Sequence, residues 1–134
     1  MPFYFRQKSG VNSALGQVKF SLPNDMAIYL HDTNHRELFV KESRALSSGC
    51  VRLEKPITLA KILLEGKSGW SDQRIDQVLQ GGKTTYVKLP RPVPVYLIYW
   101  TAWVDHNGRL QRRPDVYNWD KLDEIGQDMV LNLR

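Results

Sequence analysis

The sequence predicts an α+β, β-rich fold in which two short helices interrupt a series of strands. Three observations carry that expectation. Residues 16–22 (GQVKFSL) alternate apolar and polar at period two, and residues 93–104 form an apolar run rich in β-branched and aromatic side chains. The windows 56–64 and 71–79 instead place apolar residues at i, i+3 and i+4. Period two marks a strand with one buried face, and the wider spacing marks the apolar stripe of a helix.

The elements follow in order. Residues 16–22 and 26–30 read as two antiparallel strands, because Pro23-Asn24-Asp25 between them is turn chemistry. Residues 31–49 show no clean period and read as a loop excursion, long enough to suggest function as well as connection. Residues 56–64 read as a helix: Leu59, Ile62 and Leu63 share one face, Pro56 sits where a missing N–H does no harm, and Gly66 supplies the stop. Ser71 caps a second helix whose stripe is Ile75, Val78 and Leu79, ended by Gly81-Gly82. Strands are then expected over 84–89, 93–104 and 110–117. Asn107-Gly108 favours a type I′ turn between the last two. Both faces of 93–104 are apolar, so Tyr99, Trp100 and Trp103 are expected in the core of a central strand. The tail after Asp120 is polar and is expected to fray.

Composition bounds the rest. The 134 residues are 42% hydrophobic and 25% charged, enough for one domain spanning 1–134 and far from a disordered profile. Nineteen basic against 14 acidic residues give +5, with a pI near 9.4. Such a charge suits an anionic partner: nucleic acid, a membrane surface or an acidic wall polymer. The sign does not choose among them. A single cysteine rules out an intrachain disulfide. The first ten residues are charged and contain no apolar signal-peptide stretch, and the run 93–104, broken by Pro94, is too short for a membrane helix. Three scattered histidines and one cysteine lack metal-ligand spacing, so neither metal nor cofactor is expected.

Cys50 is the residue with chemistry to offer. A thiol attacks only as thiolate, and an ordinary cysteine needs a base or a positive environment to reach that state near neutrality. Of the histidines, His31 closes a predicted strand and is held by it, whereas His35 lies in the excursion and His106 in a hairpin turn. His31 is the best-placed base. Gly49 before the cysteine permits a tight turn that aims the amides of Gly49 and Cys50 at one spot, the geometry of an oxyanion hole. From spacing alone a plainer account also stands, since Gly-Cys pairs are common and strand-end histidines often make structural hydrogen bonds.

Residues 29–33 read YLHDT, nineteen positions separate His31 from Cys50 (50 − 31), and residues 44–53 read RALSSGCVRL. Together they resemble the signature of the L,D-transpeptidase catalytic domain, in which a histidine, a spacer and a Ser-x-Gly-Cys-apolar-(Asn/Arg) motif carry the active site. The likeness is greatest to the large periplasmic L,D-transpeptidases of Gram-negative bacteria, whose motif has serine where many relatives have histidine. Here that serine is Ser48, which leaves His31 as the motif histidine. Residues 5–24 and YNWD at 117–120 resemble the same family. The resemblance implies a mixed sheet or β-sandwich with the two helices following the cysteine. It also implies further strands ahead of residue 5, so that the chain reads as the C-terminal part of that domain.

The resemblance implies roles as well. Cys50 would attack the amide between the third and fourth residues of a peptidoglycan tetrapeptide stem, releasing D-alanine and leaving a thioester. His31 would take the thiol proton and later deprotonate a diaminopimelate amine, closing a 3→3 crosslink. The Gly49 and Cys50 amides would hold the oxyanion, Ser47 or Ser48 would brace the turn, and Arg52 would meet a substrate carboxylate. Tyr29 would line the pocket, with a core position as its rival. The implied partners are peptidoglycan stems and carbapenem inhibitors, the implied location is the periplasm or cell envelope, and no cofactor is implied. Two alternatives stay open. An L,D-carboxypeptidase would use the same pair with water as acceptor, and a basic nucleic-acid module would carry an unreactive cysteine. The second predicts clustered cations with exposed aromatics on one sheet face, whereas here the aromatics are concentrated in the apolar run 93–104. Arg109, Arg112 and Arg113 read as an ordinary solvated face.

Overall fold

The structure is a computed structural model that describes residues 10, 12–47 and 49–121. The start of the 5–24 segment, Ser48 and the tail from residue 122 lie outside the described residues. Two compact units divide between Pro92 and Val93. The described residues form two helices and short strands, the α+β, β-rich arrangement that the sequence predicts.

The first unit holds a mixed three-stranded sheet in the order β1 (Lys19–Ser21), β2 (Tyr29–His31), β3 (Val51–Arg52). β1 and β2 pair antiparallel, with Lys19 opposite His31, Phe20 opposite Leu30 and Ser21 opposite Tyr29. Asn24 shapes the connection. Its Oδ1 accepts from the N–H groups of Met26 (3.1 Å) and Ile28 (2.9 Å), and its Nδ2 donates to the carbonyls of Leu22 (2.9 Å) and Ile28 (2.8 Å). One side chain thus replaces the backbone bonds that the turn cannot make. Asn24→Ala is expected to raise amide exchange at Met26 and Ile28 roughly tenfold while the helices keep parental protection, as the loss of about one net hydrogen bond requires. Unchanged exchange at both amides would show that the turn holds itself.

β2 and β3 pair in parallel, Leu30 with Val51 and His31 with Arg52. A parallel pair needs a crossover of about a dozen residues or more, and 32–50 supplies it. The excursion is therefore a crossover, and it contains a short 3₁₀ helix, Arg36–Val40, that the sequence pattern did not show.

Helices α1 (Pro56–Leu64) and α2 (Asp72–Gln80) lie where the periodicity places them. Pro56 opens α1, and Ser71 caps α2 by accepting from the Arg74 N–H at 3.2 Å. Leu64 and Ile75, one from each helix, are the buried hydrophobic side chains among the described residues. Lys61 reaches from α1 to Asp76 (3.0 Å) and Asp72 (3.8 Å) of α2. The Asp76 carboxylate in particular raises the Lys61 pKa. Neither helix is long and apolar enough to cross a membrane.

In the second unit β4 (Ala102–Val104) and β5 (Leu110–Arg112) form an antiparallel hairpin with Trp103 opposite Gln111. Its turn differs from the expected type I′. Gly108 N–H donates to the Asp105 carbonyl and Gly108 alone has positive φ, at 75°, so this is a three-residue connection with a bulge at the glycine. Asp105 braces it by accepting from the Asn107 and Arg109 N–H groups and from Gln111 Nε2. YNWD folds around Asp115, whose carboxylate accepts from the Tyr99 hydroxyl (2.6 Å) and the Asp120 N–H (2.8 Å). The rings of Tyr99, Tyr117 and Trp119 pack against one another.

The strand expectations for 84–117 need correction. Residues 84–89 and 93–101 have no strand, and β5 stops at Arg112. Trp100 is 61% exposed, so it is not in the core; Tyr99 and Trp103 are half-buried. Pro90, Pro92 and Pro94 remove three ladder donors in five residues, and strand preference is realised only where a neighbour offers a ladder and a surface to pack on.

Candidate functional site

The register of the first sheet sorts its side chains. Lys19, Ser21, Tyr29, His31 and Arg52 fall on one face, and Phe20, Leu30 and Val51 on the other. The first face carries two fixed cations, an aromatic ring and an imidazole. Cys50, two residues before Arg52 and immediately ahead of β3, is in phase with that face. The parallel pairing is what brings the His31 strand beside the cysteine segment, across the nineteen positions of crossover.

His31 is 5% exposed at the end of β2. Its Nδ1 lies in hydrogen-bond contact with the backbone carbonyl of Asp32. A carbonyl can only accept, so Nδ1 carries a proton, and in the neutral ring this is the tautomer whose lone pair is on Nε2. Such an imidazole is able to take a proton at Nε2. Tyr29 is half-buried, its ring 5.8 Å from that of His31 and 3.8 Å below Lys19 Nζ, a cation–π contact that fixes the ring on this face. Arg52 is half-buried directly beside His31 in the ladder.

Cys50 is half-buried, and its Sγ lies 3.8 Å from the Ala27 carbonyl, a weak S–H contact that reaches back to the turn before β2. Ser47 and Gly49 are exposed; Ser48 lies outside the described residues. The φ of Gly49 is not in the left-handed region, and a Cβ there would meet Ser47 Oγ at 3.7 Å, an ordinary contact.

A residue with no role in the motif chemistry holds the end of β2. Asp32 follows His31 and is 1% exposed. Its carboxylate accepts from the N–H groups of Gln17 (2.9 Å) and Thr33 (2.8 Å) and from Arg36 Nη2 (3.0 Å). Gly16, at φ 58°, passes so close that a Cβ would collide with the Asp32 side chain. Thr33, also buried, accepts from the His35 N–H at 3.0 Å. The available signal was an aspartate directly after an apolar strand with arginine at i+4, an acid placed where burial demands partners. Among the described residues no group of three or more His, Cys, Asp or Glu is placed to hold a metal ion.

Comparison with known proteins places this sequence in a family. The family model of the YkuD L,D-transpeptidase catalytic domain matches residues 2–95, which include β1 to β3, both helices, His31 and Cys50. A Haemophilus influenzae protein named "Putative L,D-transpeptidase" is 48% identical over 132 residues, an alignment that covers 96% of this chain. The same alignment covers 26% of that relative, so the chain spans about a quarter of the length of the relative it matches. Matched by the family model over most of its length and by this relative over nearly all of it, the chain belongs to the YkuD family of L,D-transpeptidase catalytic domains.

Proposed function

We propose that this chain carries the acyl-transfer centre of a peptidoglycan L,D-transpeptidase. The observation that carries the proposal is the parallel pairing of β2 with β3, which sets the strand of a buried, Nδ1-protonated histidine beside the segment of the single cysteine. Family membership supports it. The cationic face supplied by Lys19 and Arg52 suits a donor that bears free carboxylates, as a stem peptide does.

The reaction follows from those parts. His31 Nε2 takes the Cys50 proton, and Sγ attacks the carbonyl between the third and fourth stem residues. The amides of Gly49 and Cys50 stabilise the oxyanion. The C–N bond breaks, the proton on His31 passes to the departing D-alanine amine, and a thioester remains. His31, neutral again, then deprotonates the side-chain amine of a neighbouring diaminopimelate, which attacks the thioester and restores the thiol. The product is a 3→3 crosslink, and such a substrate places the reaction in the cell envelope. Arg52 positions the donor carboxylate, and Tyr29 forms the wall beside His31.

The test is the intact mass of the folded chain after exposure to a tetrapeptide donor, with and without an amine acceptor. The expected result is an acyl adduct on Cys50 that is lost to a crosslinked product when the amine is present. A carbapenem is expected to leave a lasting adduct on the same sulfur. Turnover to free tripeptide at an unchanged rate, with no crosslinked product, would assign hydrolysis. Absence of any adduct on a folded chain whose cysteine still takes a maleimide would remove the proposal.

A further inference from the structure

Asp32 has a buried carboxylate that the proposed chemistry does not use, yet all its polar atoms are engaged. Its N–H donates to the Val18 carbonyl at 2.8 Å, and its carbonyl accepts from His31 Nδ1. Oδ1 accepts from the Thr33 N–H and from Arg36, and Oδ2 accepts from the Gln17 N–H. The Asp32 carbonyl and the Thr33 N–H belong to one planar peptide unit and cannot turn independently. Whatever holds that N–H also aims that carbonyl. Oδ2 is meanwhile tied to the chain just ahead of β1, so the carboxylate cannot swing to follow a rotating peptide plane.

We infer that Asp32 is a positioning residue for His31: its carboxylate locks the 32–33 peptide plane, which keeps the carbonyl on Nδ1 and the imidazole in the tautomer that frees Nε2. The consequence for catalysis rests on the proposed function, whereas the tautomer does not. Asparagine at this position offers one acceptor oxygen in place of two and adds an NH₂. Either the Thr33 and Arg36 donors or the Gln17 donor then face another donor, and one side of the clamp opens.

The test is long-range ¹H–¹⁵N spectroscopy of the histidine side chains at a pH where imidazole is neutral, with His31 assigned by difference from His31→Gln. The full chain is expected to show mainly the Nδ1–H form. Asp32→Asn is expected to lower the Nδ1–H to Nε2–H ratio about tenfold, the weight of one ordinary hydrogen bond, and to slow Cys50 acylation in step. Ile75→Val destabilises the same unit away from the clamp and is expected to leave the ratio alone, which separates positioning from general loss of stability. A folded Asp32→Asn chain with the parental ratio overturns the assignment, as does a parental chain that is mainly Nε2–H. Should Asp32→Asn fail to fold, Arg36→Ala withdraws only the half-exposed guanidinium. Its ratio is expected to fall about threefold, and a parental ratio there also overturns the assignment. A chain with the Nδ1–H tautomer intact that forms no acyl adduct would sink the transpeptidase proposal and leave the clamp standing.

Discussion

Cys50→Ala is expected to fold as the parent does and to form no acyl adduct with a tetrapeptide donor or a carbapenem. The fold is spared because Cys50 is only half-buried and, among the described residues, its sulfur makes one weak hydrogen bond, to the Ala27 carbonyl. Losing it should change stability by no more than about 1 kcal/mol. The chemistry is lost entirely, since no other thiol exists in the chain and no neighbouring hydroxyl has the reactivity of a thiolate. His31→Ala is the informative companion. It keeps the thiol but removes the base, so acylation at neutral pH should slow by roughly 10²- to 10⁴-fold while alkylation by a maleimide continues. Because His31 is buried and bonded to the Asp32 carbonyl, this variant also leaves a buried acceptor unpaired at about 1–3 kcal/mol, so rates must be compared per folded molecule. Circular dichroism gives the folded fraction, and intact mass gives the rate. Parental acylation in His31→Ala would show that another group takes the proton, and acylation of Cys50→Ala would remove Cys50 as nucleophile.

How far the sequence reached depended on the distance over which each feature is encoded. The two helices were readable residue by residue because Pro56, Ser71 and the spacings of Leu59, Ile62 and Leu63 and of Ile75, Val78 and Leu79 act within a few turns. The β1–β2 hairpin was readable for the same reason, through Pro23-Asn24-Asp25. The parallel pairing of β2 with β3 was not, since nothing local in a two-residue strand names a partner 21 positions away (51 − 30). With the pairing in place, period two sets Tyr29, His31, Arg52 and the preceding Cys50 in phase with one face. Residues 93–104 misled because apolar, β-branched composition states what a segment would bury if covered, and supplies neither the neighbouring strand nor the N–H groups that proline removes. Asp32 was not legible because its side chain positions a neighbour and does not itself react. Its signal is a burial that the sequence shows only indirectly, through Arg36 at i+4 and a glycine sixteen residues upstream that has no turn motif of its own.

Gly16→Ala is expected to be the most damaging single-atom change in the first unit. At φ 58° alanine incurs about 1–2 kcal/mol from the left-handed backbone alone. The new Cβ would then meet the Asp32 carboxyl, which cannot retreat without abandoning the N–H groups of Gln17 and Thr33 and the Arg36 guanidinium. Each buried donor left unpaired adds about 1–3 kcal/mol, so the combined loss should exceed roughly 3 kcal/mol. Gly66→Ala provides the comparison. Gly66 has φ 74° but open space around its Cα, with nothing within 4 Å of a built Cβ, so its substitution carries the backbone term alone. The difference between the two variants in chemical denaturation therefore isolates the collision with Asp32. Gly16→Asn sharpens it further, since asparagine tolerates the left-handed region yet keeps a Cβ, and it should be nearly as damaging as alanine. Equal stabilities for Gly16→Ala and Gly66→Ala would mean that the close approach of Gly16 does not anchor Asp32. Asp32 would then be free to relax, and the strand that carries His31 would be held by its ladder bonds alone.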